Sequence, residues 1–204
     1  MAEASETHAL TPALTIWQAY DPEVKADLSS TSIRLGDRLF LIDPIPLAGP
    51  ALTELTTDAR ICSVFLTNIN HARAAAFFAD KTGATVCASA ITASSLFNLE
   101  ILSVSPGDMV GDGIEVIGIE GAAEGEIALH FMGDGGAVVV GDALINFGQD
   151  GFGLLPAKYC SDQKMMQRSL RQLLDFSFER LLFAHGAPIV SGARAKLEAL
   201  IGSR

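Results

Sequence analysis

Short apolar runs rich in β-branched residues, separated by tight-turn residues, set the pattern of the first half of this sequence. TSIRL and RLFLI flank Gly36 and Asp37, which predicts a hairpin because both turn residues tolerate positive φ. ICSVFLT (61–67) is almost continuously apolar, as expected of a strand covered on both faces. The following HARAAAFFADKTG (71–83) predicts a buried helix closed by Gly83, and TVCASA predicts another strand. From Leu102 onward the turns SPGD and GDG lead to a strand in IEVIGI (114–119). EIALHFM (126–132) and AVVVG (137–141) flank a Gly-Asp-Gly-Gly turn, which predicts a second hairpin. SDQKMMQRSLRQLLDF predicts a helix with Met166, Leu170, Leu173 and Leu174 on one face. RLLFA (180–184) reads as a strand, and SGARAKLEALI as a last helix burying Ala193, Leu197, Leu200 and Ile201. Ser161 and Ser191 are the expected N-caps.

Helices that alternate with strands in the first half and return at the end favour a layered α/β sandwich over an all-β barrel. The length of 204 residues suits a single domain, 1–204, with the acidic and polar residues 1–13 read as a loose N-terminal tail. That start carries neither a basic cluster nor an apolar signal core, so a cytoplasmic protein is expected. The mean hydropathy of +0.34 is high, yet no apolar run approaches the roughly 18–20 residues that span a membrane. A formal charge of −10, with 14 basic residues in no stripe, argues against nucleic acid and anionic membranes as partners. Small molecules and further copies of the chain remain as partners. Cys62, Cys87 and Cys160 form no C-x-x-C pair; the first two read as buried thiols, and Cys160, in KYCSDQ, is the one to probe.

The chain has four histidines. His8 falls in the tail, and His130 lies inside a strand, where a structural role is expected. His71 and His185 lie where apolar strands give way to loops, the positions at which α/β proteins place working side chains. Asp142 shares that setting, after VVVG and at the head of the Gly-rich stretch GDALINFGQDGFG. One Asp and two His at strand ends suit a single-ion site. Two plainer readings stand beside it: Asn70 as a helix cap and Asp142 as a turn residue.

From about Thr31 to Ile201 the sequence resembles the metallo-β-lactamase superfamily, most of all its short glyoxalase II-like members. LFLIDPIPL is similar to the family's strand that ends in Asp, here Asp43. VFLTNINHARAAAFFADKTGA is similar to the strand, metal loop and helix that normally read L-T-H-x-H-x-D-H. IEVIGIEGAAEGEIALHF corresponds to a stretch usually ending G-H-T-P-G-S, AVVVGDALI to the G-D-x-L strand end, and LLFAHGAPI to the last strand with its H-G. The resemblance implies an αββα four-layer sandwich, two facing mixed sheets with helices outside and a cleft at one edge. It also implies a two-metal hydrolase ancestry with most ligands replaced. The loop's first two His fall on Asn68 and Asn70, its Asp on Ala72 and its last His on Arg73; the His of G-H-T-P-G-S falls on Ala122. Asp142, at the metal-bridging carboxylate, and His185, at the last histidine ligand, survive, while His71 is one place out of register.

Asp43, Asn68, Asn70, His71, Arg73, Asp142 and His185 are therefore expected to converge at the cleft, with Asp43 holding the loop in place. Arg73 is expected to replace a metal electrostatically by pairing with Asp142. The expected function is that of a hydrolase-like protein with a degenerate site, without a cofactor, binding a small molecule or acting by an altered mechanism. The alternative is a weak mononuclear hydrolase of small esters, thioesters or lactones, with Asp142, His185 and His71 on one divalent ion.

Overall fold

The computed structural model describes residues 2–147 and 151–202. Seven strands form the first sheet in chain order: β1 (His8–Ala9), β2 (Leu14–Asp21), β3 (Ala26–Leu35), β4 (Arg38–Ile42), β5 (Arg60–Phe65), β6 (Thr85–Ser89) and β7 (Ile101–Val104). β1 to β4 are antiparallel neighbours, and β4 to β7 run parallel. The second sheet has the order β14 (Arg180–Phe183), β11 (Ala137–Val140), β10 (Ile127–Phe131), β9 (Ile114–Gly118), β8 (Met109–Val110). Only its β11–β14 pair is parallel. β12 (Leu144–Phe147) and β13 (Gly151–Leu154) form a separate ribbon.

Alternation along the strands builds the layers. In β4, Phe40 and Ile42 enter the core between the sheets, whereas Leu39 and Leu41 face outward beneath α1 (Gly49–Leu55) and α2 (Ala75–Thr82). In β11, Val139 joins the inter-sheet core, and Val138 and Val140 turn toward α4 (Gln163–Arg171) and α5 (Ala193–Ile201). Three apolar layers separated by two sheets and flanked by helices make the αββα sandwich. The short α3 (Ala90–Ser95) links β6 to β7.

Both predicted hairpins form, and Met166, Leu170, Leu173 and Leu174 are all buried. Several expectations are corrected. Residues 2–13 are not a loose tail: Ala4 is buried, its N–H donates to Pro46 O, and β1 pairs with β2. The unsatisfied edge of β2 and the backbone around Leu47 offer partners that a count of polar residues does not reveal. The helix after ICSVFLT begins at Ala75, because Ile69–His71 form a 3₁₀ turn first. Asp162, whose carboxylate accepts from Met165 N–H, caps α4 in place of Ser161; Gly192, in the left-handed region, replaces Ser191 before α5. Part of the Gly-rich stretch after Asp142 is the β12–β13 ribbon, and its residues 148–150 lie outside the described residues.

Candidate functional site

The site lies where strand ends of both sheets meet. β4 runs into Asp43, which is 2% exposed and held at φ 48°. Its Oδ1 accepts from Thr67 N–H at 2.8 Å, and its Oδ2 accepts from Thr67 Oγ1 at 2.6 Å and from His71 Nδ1 at 2.9 Å. Asp43 thus clamps the loop after β5. The backbone of Asp43 is tied in turn, because Ser30 Oγ donates to its carbonyl.

Within that loop Asn68 acts as the cap of the 3₁₀ turn, a role considered above for Asn70: Asn68 Oδ1 accepts from Asn70 N–H at 2.9 Å. Asn68 Nδ2 donates to Asp142 Oδ2 at 3.0 Å and, more weakly, to Glu126 Oε2 at 3.5 Å. Asn70 itself is exposed and lines the neighbouring cavity. His71 is buried in the site although it is one place out of register, because the 3₁₀ turn swings its ring inward. Nδ1 donates to Asp43, and Nε2 lies 3.3 Å from Asp142 Oδ1 without hydrogen-bond alignment.

Asp142 and His185 come from β11 and β14. The glycine before Asp142 has a steric cause: a Cβ on Gly141 would stand 2.4 Å from Thr67 Oγ1. Likewise a Cβ on Gly186 would collide with Asn146 O, so the backbone after His185 packs directly on β12. His185 Nε2 lies 3.2 Å from Asp142 Oδ1, and the His71 and His185 rings are 5.4 Å apart. One carboxylate oxygen therefore faces two imidazoles. Ligand atoms of His71, Asp142 and His185 all lie within 4.8 Å of one another.

Arg73 corrects the expected pairing. Its Nη1 donates to Ser29 O and Asp43 O, both at 2.9 Å, and its Nη2 to Ala184 O at 3.2 Å. Among the described residues no Arg73–Asp142 ion pair forms; Asp142 is instead flanked by His71 and His185. The guanidinium fork bridges three converging carbonyls, one inside β3 and two just past the ends of β4 and β14, which ties the three strands together. Arg73 acts on Asp43 and Asp142 through its charge at longer range.

Burial by itself would lower the His71 pKa, but Asp43 and Asp142 outweigh it and raise it to about 9. Burial opposes ionisation of Asp142 as well, yet His71 and His185 hold it well below the usual carboxylate range. His185 is held below the ordinary imidazole value by burial, with His71 and Arg73 adding to the effect. Two participants escaped sequence reasoning, Thr67 and Glu126. Glu126 is 4% exposed, its Oε1 accepts from Ala143 N–H at 2.7 Å, and burial together with the Asp142 charge raises its pKa to about 8. The available signal was an acidic residue at the head of the apolar run IALHF.

A cavity of about 680 Å³ opens beside the three candidate ligands, walled by Val24, Leu28, Ile145, Phe147, Leu155 and Tyr159. Ala122 is buried in the core under α4. His130 is structural, its Nε2 3.0 Å from Ser177 O. Burial raises the Cys160 thiol pKa, so it is held protonated and is a poor nucleophile. No helix among the described residues is long and apolar enough to cross a membrane.

Comparison with known proteins agrees with this architecture. The metallo-beta-lactamase from Hirschia baltica is similar at 14% identity with a TM-score of 0.70, covering 98% of this chain and 99% of that one. The enzyme from Pontibacter korlensis is similar at 13% identity with a TM-score of 0.71, over 95% and 98% of the two chains. DIM-1 metallo-beta-lactamase gives 13% identity and a TM-score of 0.74 over 97% and 98%. At such identities the likeness shows the fold alone. No curated protein matches. The sequence profile described as metallo-beta-lactamase superfamily matches residues 8–203, and with that extent of agreement the chain belongs to the metallo-beta-lactamase superfamily.

Proposed function

We propose that this chain is a hydrolase-type protein whose two-ion centre is reduced to one ion site, formed by His71, Asp142 and His185. The observation that carries the reading is the convergence of three ligand atoms within 4.8 Å, one of them the buried His71 Nε2, which has no hydrogen-bond partner among the described residues. His71 Nδ1 donates to the Asp43 carboxylate, the arrangement that fixes a ligating imidazole in the correct tautomer. Three protein ligands with an open position are what a catalytic divalent ion requires.

A second ion does not fit. Asn68 spends its carboxamide on Asp142, Glu126 and the Asn70 N–H, Asn70 faces solvent, and Ala122 is packed in the core. A zinc-like ion would supply Lewis acidity, lowering the pKa of a bound water from about 15.7 to roughly 7. The chain's own residues do the rest: Asp43 and Thr67 orient His71, burial keeps His185 neutral, and Leu28, Ile145 and Leu155 give a small ligand apolar contact in a cavity whose rim carries Asp21, Glu23 and Lys25. Small esters, thioesters or lactones with an apolar portion fit that cavity, and the charge of −10 disfavours polyanions.

Protein purified without chelator should carry, or take up in titration, one equivalent of zinc or manganese. His185→Ala should abolish uptake. Two equivalents per chain would overturn the reading.

A second reading, a binding protein without a metal, draws on the same electrostatics. His71 sits between Asp43 and Asp142 with its pKa raised to about 9, and so supplies internally the positive charge an ion would otherwise bring. Under that reading zinc titration gives no binding isotherm, and chelator leaves the melting temperature unchanged.

A further inference from the structure

Asp142 presents one oxygen to two imidazoles because something holds the other. Its Oδ2 accepts from Asn68 Nδ2 at 3.0 Å, which leaves Oδ1 facing His71 Nε2 at 3.3 Å and His185 Nε2 at 3.2 Å. Asn68 is held at both ends of its carboxamide, by Asn70 N–H on Oδ1 and by Asp142 and Glu126 Oε2 on Nδ2. The other Glu126 oxygen accepts from Ala143 N–H at 2.7 Å, the residue directly after Asp142. One carboxyl group thus touches the Asp142 turn twice, once through the main chain and once through Asn68. Glu126 is 4% exposed and Asn68 fully buried, so water does not compete for these contacts.

We propose that Glu126 is the positioning residue of the site: with Asn68 as its intermediary, it sets the direction of the Asp142 carboxylate toward the two histidines. The proposal rests on reading Asp142 as a ligand, and it assigns the buried carboxyl a role that no surviving motif position indicates. Once ionised, above its raised pKa of about 8, Glu126 has two acceptor oxygens, one toward a backbone N–H and one toward a carboxamide NH₂. Glutamine cannot reproduce this, since its own NH₂ would face a donor at one of the two ends. The expected consequence of removing the brace is rotation of Asp142, with little change in the strands that carry it. Partners of this kind, one step removed from a metal, typically change affinity by about 10–100-fold.

The test uses Glu126→Gln, Asn68→Ala and the double variant of the full chain. Histidine ring resonances are recorded by NMR with chelator present, and zinc is titrated calorimetrically after the chelator is removed. Both single variants should move the His71 and His185 resonances and leave His130, on the same β10 strand as a monitor of general disturbance, in place. Zinc affinity should fall roughly 10–100-fold, and the double variant should lose less than the sum of the two single losses, because one of the two Glu126 contacts with the Asp142 turn runs through Asn68. Unmoved His71 and His185 resonances, movement of His130 to the same extent, or fully additive losses would overturn the proposal. If Glu126→Gln fails to fold, Asn68→Ala decides alone, since it cuts the link and leaves the Ala143 contact. A wild-type chain that takes up no zinc would remove the one-ion reading, while the ring resonances, recorded with chelator present, would still decide the role of Glu126.

Discussion

Arg73 shows how residue identity and residue role separate. The same guanidinium that seemed suited to neutralise Asp142 binds three backbone carbonyls, of Ser29 within β3 and of Asp43 and Ala184 just after β4 and β14. It does so at φ 36°, a left-handed conformation that costs an ordinary residue about 1–2 kcal/mol, so its contacts outweigh that cost. Arg73→Ala removes three hydrogen bonds to carbonyls, of which Asp43 O keeps the Ser30 hydroxyl and Ala184 O keeps the Ser29 N–H, so a loss of about 1–3 kcal/mol overall is expected in urea unfolding. Arg73→Lys keeps the charge but not the fork and should recover less than half of that; wild-type stability in this variant would show that charge alone matters. Glu126 yields a prediction about pH. Its folded pKa of about 8 lies above the ordinary 4.5, so between those values the folded chain keeps a proton that the unfolded chain has released. Stability should therefore fall as pH rises from about 4.5 to about 8. Melting temperatures of chelator-treated protein should show this decline, and Glu126→Gln should flatten it; an equal slope in the variant would refute the assignment.

At the scale of elements, the site depends on close approach between the β5 loop and the end of β11. Gly141 permits it, because any Cβ there would overlap Thr67 Oγ1, the hydroxyl that bonds Asp43. Gly141→Ala should push the loop away at a cost of about 1–3 kcal/mol and weaken zinc uptake along with stability. Gly151→Ala is a control for space, since nothing lies within 4 Å of a Cβ there, although its φ of 77° adds backbone strain. Equal zinc affinity in Gly141→Ala and wild type would show that the approach is not needed. The N-terminal segment belongs to this scale too: β1 and Ala4 extend the first sheet and meet the backbone near Leu47, next to the strand that delivers Asp43.

For the whole molecule, the decisive feature is that the site straddles both sheets. Asp43, Asn68 and His71 follow strands of the first sheet, whereas Asp142 and His185 follow strands of the second, and Glu126 directly precedes β10. Their geometry depends on the apolar layer between the sheets, where Phe65 and Leu182 are buried. Phe65→Ala should cost about 3–5 kcal/mol, and metal uptake should fall with it although Phe65 is no ligand candidate. A variant that lost stability yet kept full affinity would mean that the site is organised locally.

By itself the sequence pattern indicated a layered sandwich and the two hairpins, and the family resemblance added the meeting of Asp142 with His185. Alternating and continuous apolar runs record which faces are covered, and ordered motifs record which strand ends meet. Tertiary structure decided the rest. A one-residue offset of His71 from its motif position says nothing of a 3₁₀ turn that rotates the ring back into the cleft. The acceptors of Arg73 are backbone carbonyls, identical at every position in a sequence and distinguished only by where the strands bring them together. Glu126 and Asn68 find each other across 58 residues, and the 3.5 Å between them is fixed by sheet packing, not by any local periodicity. Local patterns carry burial and turn chemistry; the choice of partner for a polar side chain is a competition among groups that meet only after the chain has folded.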